Sequence, residues 1–81
     1  MIKIAVVGYG YWGPNMVRTF NEVPGSQVVA VCDLRPQRLS VVQSRYPAIK
    51  ITTDAKELLT DPSIDAIIIS YNSLIFGVTF E

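Results

Sequence analysis

Three glycines near the start of the chain have the spacing of a loop that binds a diphosphate. Gly8, Gly10 and Gly13 form the pattern G-x-G-x-x-G directly after an apolar run at residues 2–7. The first glycine permits a sharp turn, the second has no Cβ to keep a pyrophosphate away, and the third lets the next helix pack closely. The first amides of that helix lack internal partners and lie at the positive end of its dipole. These residues therefore have the chemistry to hold a pyrophosphate.

An acidic residue completes the pattern at the end of a second apolar run. Asp33 follows Gly13 by 20 residues (33 − 13). A carboxylate at this distance accepts hydrogen bonds from the ribose hydroxyls of an adenosine and repels a 2′-phosphate, which favours NAD over NADP. Arg35 and Arg38 keep NADP open as an alternative, because either guanidinium is long enough to swing toward a 2′-phosphate. An empty tight turn is the competing interpretation of the glycines.

We therefore predict a dinucleotide site without catalytic residues or metal ligands. The predicted cofactor-binding residues are Gly8, Gly10, Tyr11, Trp12, Gly13, Asp33, Arg35 and Arg38. The predicted cofactor is NAD, with NADP possible.

The elements that must position these residues alternate between strands and helices. Apolar runs predict strands at 2–7, 27–33, 49–52 and 64–70, and helical spacing of apolar residues predicts helices at 12–22, 34–46 and 54–60. Asp54 and Glu57 have the spacing of a capping box at the start of the last helix. Strands that alternate with helices require right-handed crossovers and a parallel sheet. The predicted fold class is α/β, half of a doubly wound Rossmann fold with strand order 3-2-1-4 and its switch point beside the glycine loop.

Length and composition limit the possible functions. With 81 residues the chain can hold only the first half of a full dinucleotide-binding domain, although 49% of its residues are apolar. Seven basic and seven acidic residues give zero net charge, which argues against a nucleic-acid partner. No apolar run is long enough for a membrane span or resembles a signal peptide. The single cysteine, Cys32, is interpreted as a small buried side chain, and a cytoplasmic location is predicted.

Residues 1–70 resemble the N-terminal domain of the Gfo/Idh/MocA oxidoreductase family. The resemblance is carried by IAVVGYGYWG at 4–13, VAVCD at 29–33, Thr53-Asp54 with Glu57-Leu58-Leu59, and DPSIDAIII at 61–69. The run GYWGPN at 10–15 is similar to members that act on sugars, including nucleotide-sugar 3-dehydrogenases.

This resemblance implies an activity and also what the chain lacks for it. Members of the family bind NAD or NADP and transfer a hydride between the nicotinamide and a carbon of a sugar or cyclitol. The resemblance places a catalytic lysine in a Glu-Lys-Pro segment after the fifth strand and a histidine further on, and it implies a second, sheet-containing domain that supplies much of the substrate site. The chain has no histidine, and Lys3, Lys50 and Lys56 match no catalytic position. We therefore expect a truncated member that is inactive alone.

The sequence departs from the family pattern at Tyr71. Family members usually continue with Thr-Pro and a histidine, whereas Tyr71-Asn72-Ser73 has turn character and residues 74–80 are mostly apolar and strand-prone. We therefore predict a partial dinucleotide-binding domain at 1–70 and a divergent tail at 71–81. Residues 74–80 are predicted to form an extra strand that folds back on the fourth strand or pairs across a homodimer. A disordered or helical tail is the alternative.

Three functions remain open from the sequence. The first is the NAD-preferring, dinucleotide-binding portion of a Gfo/Idh/MocA-type oxidoreductase that acts on a sugar or nucleotide sugar. The second is a non-catalytic module that self-associates as a homo-oligomer through the fourth strand and the tail. The third is a site for another adenosine ligand such as S-adenosylmethionine, which the glycine spacing favours least because it suits a pyrophosphate.

Overall fold

The computed structural model of the chain describes residues 1–70, and strands alternate with helices along them. The elements are β1 (Ile2–Val7), α1 (Gly13–Glu22), β2 (Ser26–Cys32), α2 (Pro36–Arg45), β3 (Lys50–Thr52), α3 (Ala55–Leu59) and β4 (Ala66–Ile69). Their number and order are those predicted from the apolar patterns, and their ends lie within two residues of the predicted ones.

The start of α2 shows why the ends differ. The sequence pattern predicts a helix from Leu34, but the helix begins at Pro36. A carboxylate oxygen of Asp33 accepts a hydrogen bond of 2.8 Å from the Arg35 amide, which holds this loop in a turn. Arg35 itself has extended backbone angles, φ −100° and ψ 111°, as expected for the residue before a proline.

The four strands form one parallel sheet in the order β3-β2-β1-β4, which confirms the predicted order 3-2-1-4. β1 lies in the middle and pairs with β2 on one side and β4 on the other. The register between β1 and β2 shifts after the pair Ile4 and Val28, so that Ala5 faces Ala30. This shift leaves Val29 as an extra residue in β2 and places Val28 and Val31 on the same face of the sheet.

The two faces of the sheet bury different clusters. On one face, buried side chains of β1 and β2 pack with residues of α1 and α2, and the cluster is Ile4, Val6, Tyr9, Val17, Val28, Val31, Leu39, Val42 and Ile49. On the other face, the smaller cluster contains Ala5, Ala30, Cys32 and Leu58, the last from α3. Cys32 is buried there, as its interpretation as a small core residue predicts.

The two longer helices face the sheet as their periodicity predicts. In α1, Val17 is fully buried and Met16 and Phe20 pack against the first cluster. In α2, Leu39 and Val42 are buried. The buried side chains of each helix recur at helical spacing, so each helix packs one apolar face on the sheet.

The predicted capping box at α3 is only half correct. The Asp54 carboxylate accepts a hydrogen bond of 3.0 Å from the Lys56 amide, as an N-cap side chain does. The Glu57 carboxylate does not accept a hydrogen bond from the Asp54 amide, as a capping box requires, but accepts one from the Thr52 hydroxyl. The Asp54 amide donates to that same Thr52 oxygen at 3.0 Å. Thr52, at the end of β3, therefore accepts the hydrogen bond from the Asp54 amide that the sequence pattern assigned to Glu57.

The described part of the chain ends at an open sheet edge. Within residues 1–70, β4 pairs with β1 alone, and Ile69 is 36% exposed. The strand predicted at 74–80 lies outside the described residues. None of the helices described over this range has the length and apolarity that a membrane crossing requires.

Candidate functional site

The turn after β1 is a corner that only glycine can form. Gly8 has φ +100°, a backbone conformation that strains residues with a side chain. A Cβ on Gly8 would also lie 2.1 Å from the Ser70 carbonyl oxygen, which no shift of a side chain can relieve. The Gly8 amide donates to the Cys32 carbonyl oxygen at 2.7 Å, and the Ser70 amide donates to the Val7 carbonyl oxygen at 2.8 Å. The corner is thus held between the ends of β2 and β4.

The third glycine brings the start of α1 onto this corner. A Cβ on Gly13 would lie 2.5 Å from the Gly8 carbonyl oxygen and 3.2 Å from the Tyr9 ring. Both atoms belong to the turn itself, so a larger residue would push the helix away from β1. The observed contact agrees with the packing role that the glycine spacing predicts.

The N-terminus of α1 has no side-chain cap. Trp12 is the N-cap residue, and its side chain makes no capping hydrogen bond. Pro14 lies in the first turn and has no amide hydrogen to satisfy. A Cβ on Gly10 would meet only the Arg35 guanidinium, at 3.1 Å from Nη2. An anion could therefore take the place of a side-chain cap at this helix end.

Asp33 lies directly at the corner and is buried, with 6% of its surface exposed. Its Oδ2 accepts a hydrogen bond of 2.8 Å from the Tyr9 amide, which joins the end of β2 to the glycine loop. Burial alone would raise the pKa of Asp33. The hydrogen bonds from the Arg35 side chain and from the Tyr9 and Arg35 amides, with the guanidinium charge, outweigh burial and lower the pKa below its usual value. The carboxylate is therefore ionised.

Arg35 forms a two-pronged ion pair with Asp33. Its Nε donates to Oδ1 at 3.0 Å and its Nη2 donates to Oδ2 at 3.1 Å. The hydrogen bond to Asp33 raises the pKa of the guanidinium. Gly10, Tyr11, Arg35 and Arg38 line one cavity of about 370 Å³.

The two aromatic residues of the loop are at the surface. Tyr11 is 72% and Trp12 is 45% exposed, and their rings meet edge to face with centroids 4.9 Å apart. Tyr11 lines the cavity with Arg35, whereas Trp12 contributes the helix N-cap. All the residues predicted for the site thus lie around one corner, at the point where β1 separates β2 from β4.

Two residues of the corner were not predicted. Tyr9 occupies a variable position of the glycine pattern, yet its ring is buried in the larger cluster and its amide binds Asp33. In a regular strand, Tyr9 would point to the face of the sheet opposite to that of Ile4 and Val6. The positive φ of Gly8 turns the chain, so the Tyr9 ring packs in the same cluster as Ile4 and Val6. Its hydroxyl has no hydrogen-bond partner within residues 1–70, and burial raises its pKa against the opposing charge of Arg45. Ser70 contributes only backbone, so its side-chain type gave no signal.

Comparisons with known proteins identify what this arrangement resembles. The family described as an oxidoreductase family with an NAD-binding Rossmann fold, GFO_IDH_MocA, matches residues 2–77. The inositol 2-dehydrogenase of Acidothermus cellulolyticus is 31% identical over 70 residues, which cover 85% of this chain and 20% of that protein. A glycosyl hydrolase family 109 protein of Porphyromonas gingivalis is 40% identical over 42 residues, which cover 52% of this chain and 9% of that protein.

A solved structure gives the same result for the fold. The crystal structure of myo-inositol dehydrogenase from Lactobacillus casei, in complex with NAD(H) and myo-inositol, has a TM-score of 0.81 and 27% sequence identity to this chain. The match covers 90% of this chain and 22% of the dehydrogenase. The chain therefore spans about a fifth of the length of these dehydrogenases.

Proposed function

Because this chain belongs to the GFO_IDH_MocA family of NAD-binding oxidoreductases, we propose that its glycine corner binds the pyrophosphate of NAD and that Asp33 binds the adenosine ribose. The observation that carries this proposal is the hydrogen bond of 2.8 Å from the Tyr9 amide to the Asp33 carboxylate. It fixes the ribose-binding acid and the phosphate-binding loop in one unit, although they are 24 residues apart in sequence.

The residues present fit a dinucleotide in three respects. Gly10 has no Cβ, and among the described residues other than its chain neighbours the Arg35 guanidinium is the only group within 4 Å of the space that a Cβ would fill. The uncapped first turn of α1 supplies amide donors and a positive dipole end for the pyrophosphate. The ionised carboxylate of Asp33 supplies acceptors for ribose hydroxyls. When bound, the nicotinamide accepts or donates a hydride, and the residues of this chain bind and orient the cofactor that carries it.

NAD is the preferred cofactor in this proposal because of charge. Asp33 faces the corner as a carboxylate, and a 2′-phosphate would have to approach this negative charge. Arg35 and Arg38 line the same cavity, so NADP is a weaker alternative ligand.

For the substrate, we propose a polyol carbon of a cyclitol, a sugar or a nucleotide sugar. The inositol dehydrogenases among the relatives support the first of these. We also propose that the 81 residues bind cofactor without turnover. The sequence has no histidine, the residue type most often used as a general base, and the described cavity is lined by Gly10, Tyr11, Arg35 and Arg38.

Titration calorimetry of the 81-residue chain tests cofactor binding. We expect NAD and ADP to bind and S-adenosylmethionine not to bind. Asp33→Ala should weaken NAD by about 10- to 100-fold, because hydrogen bonds to a charged group contribute roughly 1.5–3 kcal/mol. The matched control is Asp65→Ala, because the Asp65 carboxylate also accepts a backbone hydrogen bond of 2.8 Å, from the Lys3 amide at the opposite end of β1. This control should leave NAD affinity unchanged, and a wild-type chain that binds neither NAD nor ADP would refute the proposal.

The open edge of β4 supports a second candidate function. If the chain is an assembly module, two copies pair through this edge and the nucleotide site is unused. A stable dimer that binds no nucleotide would favour this function over the first.

A further inference from the structure

The acceptor sites of the Asp33 carboxylate are already occupied by the chain itself. Oδ1 accepts from the Arg35 amide at 2.8 Å and from Arg35 Nε at 3.0 Å. Oδ2 accepts from the Tyr9 amide at 2.8 Å and from Arg35 Nη2 at 3.1 Å. Two carboxylate oxygens offer about four lone-pair sites. A ribose hydroxyl therefore finds no free acceptor on Asp33 in this arrangement.

The four donors to Asp33 differ in how easily they can leave. Two are backbone amides, of Tyr9 and Arg35, and they are fixed by the corner and by the turn before α2. The other two belong to the Arg35 guanidinium, whose side chain is 48% exposed. Rotation of one partly exposed side chain is enough to free two acceptor sites on Asp33, without any change in the backbone.

The Arg35 guanidinium lies beside the glycine loop. Its Nη2 lies 3.1 Å from the point that a Cβ on Gly10 would occupy, so the side chain reaches across the mouth of the glycine loop. It also lines the cavity together with Tyr11 and Arg38. Within residues 1–70, Arg38 shares this cavity but forms no hydrogen bond to Asp33, so the two arginines are not equivalent.

We propose that Arg35 is an internal competitor of the adenosine ribose, which occupies Asp33 in the free chain and must leave it when NAD binds. This inference rests on the proposed function, because it concerns the same site. With NAD, the guanidinium loses its carboxylate partner and has no 2′-phosphate to take the place of that partner. With NADP, the released guanidinium can pair with the 2′-phosphate, a bidentate partner of the kind that arginine prefers. Arg35 therefore opposes the binding of NAD and supports the binding of NADP.

The two effects have opposite signs, which gives a sharp test. Arg35→Met removes the donors and keeps most of the aliphatic stem. We expect this variant to bind NAD about two- to fivefold more tightly, because it removes the ion pair that competes with the ribose. The change is small because that ion pair is partly exposed. We expect it to bind NADP about tenfold more weakly, because a charged hydrogen-bond partner is lost. Dissociation constants for both cofactors are measured by titration calorimetry on the 81-residue chain.

Two arginine variants serve as controls for the loss of charge. Arg38→Met removes the same charge from the same cavity and should weaken NADP without tightening NAD. Arg18→Met removes the same charge from the exposed surface of α1, where its guanidinium pairs with Asn15, and should reproduce neither change. Thermal melts of all three variants show that each is folded at the temperature of the titration.

A second measurement follows the guanidinium directly. In the free wild-type chain, the Arg35 Nε proton should be visible by NMR, because its hydrogen bond to Asp33 slows exchange with water. Addition of saturating NAD should remove this signal, since the ribose takes the place of the guanidinium.

The outcomes separate this inference from the proposed function. Tighter NAD and weaker NADP in Arg35→Met support the competitor role. If the wild type binds NAD but the variant shifts both affinities in one direction, or weakens NAD, the competitor role is wrong and the NAD site stands. Retention of the Nε signal in the NAD complex would also overturn it. If the wild type binds neither cofactor, the proposed function fails and this inference with it.

Discussion

At the scale of single residues, Asp33 determines the electrostatics of the corner. It is almost fully buried, and an unpaired carboxylate in such a place would be costly. The hydrogen bonds from Tyr9 and Arg35 offset this cost and keep the group ionised. The same bonds fix its position at the glycine loop, so stability and proposed ligand binding depend on one side chain.

Acid denaturation should reveal this dependence. The pKa of Asp33 is lower in the folded chain than in the unfolded chain, where it is about 3.9. The stabilisation from its ionised form is therefore complete above that unfolded value and is lost as the pH falls through the lower, folded one. We expect the free energy of unfolding, measured in urea, to fall below about pH 4 in the wild type.

The variant Asp33→Asn isolates this contribution. It should be less stable than the wild type at neutral pH by about 1.5–3 kcal/mol, because hydrogen bonds to a charged acceptor are lost. Its stability should then change less between neutral and acid pH. Asp61, whose pKa is also lowered, by hydrogen bonds from Ser63, is present in both proteins and cancels in the comparison. Parallel pH profiles for the two proteins would contradict the assignment.

At the scale of elements, the turn between β1 and α1 is the most constrained segment of the fold. Gly8 touches the end of β4 and the start of α1, so three elements meet at a position without a side chain. The turn before α2 is shaped by Asp33 and Pro36 in a similar way, through one side-chain hydrogen bond and one ring. These short segments set where the strand ends lie and so define the site.

Substitution of two glycines separates conformational strain from steric overlap. Gly8 and Gly25 both have positive φ, of 100° and 88°, but only Gly8 has a neighbour within 4 Å of its missing Cβ. Gly25→Ala should therefore lower stability by about 1–2 kcal/mol, from backbone strain alone. Gly8→Ala should lose a further 1–3 kcal/mol or so, because the Ser70 carbonyl must move.

Urea denaturation of both glycine variants measures this difference. Gly8→Ala should also weaken NAD binding, since the displaced corner carries the proposed phosphate donors, whereas Gly25→Ala should not. Equal losses of stability in the two variants would show that β4 yields easily at this contact.

At the scale of the whole molecule, the described sheet is unevenly covered. Two long helices pack on one face, and the five-residue helix α3 packs on the other. Leu59 is 64% exposed and Ile69 is 36% exposed, so apolar surface remains near α3 and along β4. An edge strand with free hydrogen-bonding groups and apolar side chains favours the addition of another strand.

We predict that residues 74–80 add an antiparallel strand to the edge of β4, within one chain or across a homodimer. Hydrogen exchange should then be slow for the amides of 74–80. Ile69→Lys places a charge on this edge and should speed exchange there, whereas Leu59→Lys, on α3, should not. Sedimentation equilibrium distinguishes the two forms, because a monomer with slow exchange indicates pairing within one chain. Fast exchange at 74–80 in the wild type would rule out the strand.

Local sequence rules predicted much of the fold and which residues would meet at one corner. The spacing of apolar residues predicted every described helix and strand, because both have periods of a few residues. The sheet order followed from the doubly wound fold that the glycine pattern indicates. The glycine pattern and Asp33 predicted where the candidate site lies. The ends of the elements were less accurate, since a single side-chain hydrogen bond, such as that from the Arg35 amide to Asp33, decides them.

By itself, the sequence determined which residue types stand at the corner and which elements precede and follow it, because glycine turns and apolar periods depend on neighbours along the chain. Only the tertiary structure decided which donor each acceptor takes. The Arg35 guanidinium pairs with Asp33, and the Tyr9 ring packs into the core. The Thr52 hydroxyl, rather than Glu57, accepts from the Asp54 amide. Hydrogen bonds are satisfied by the nearest suitable group in space, and the nearest group to a buried carboxylate is known only once the chain has folded around it.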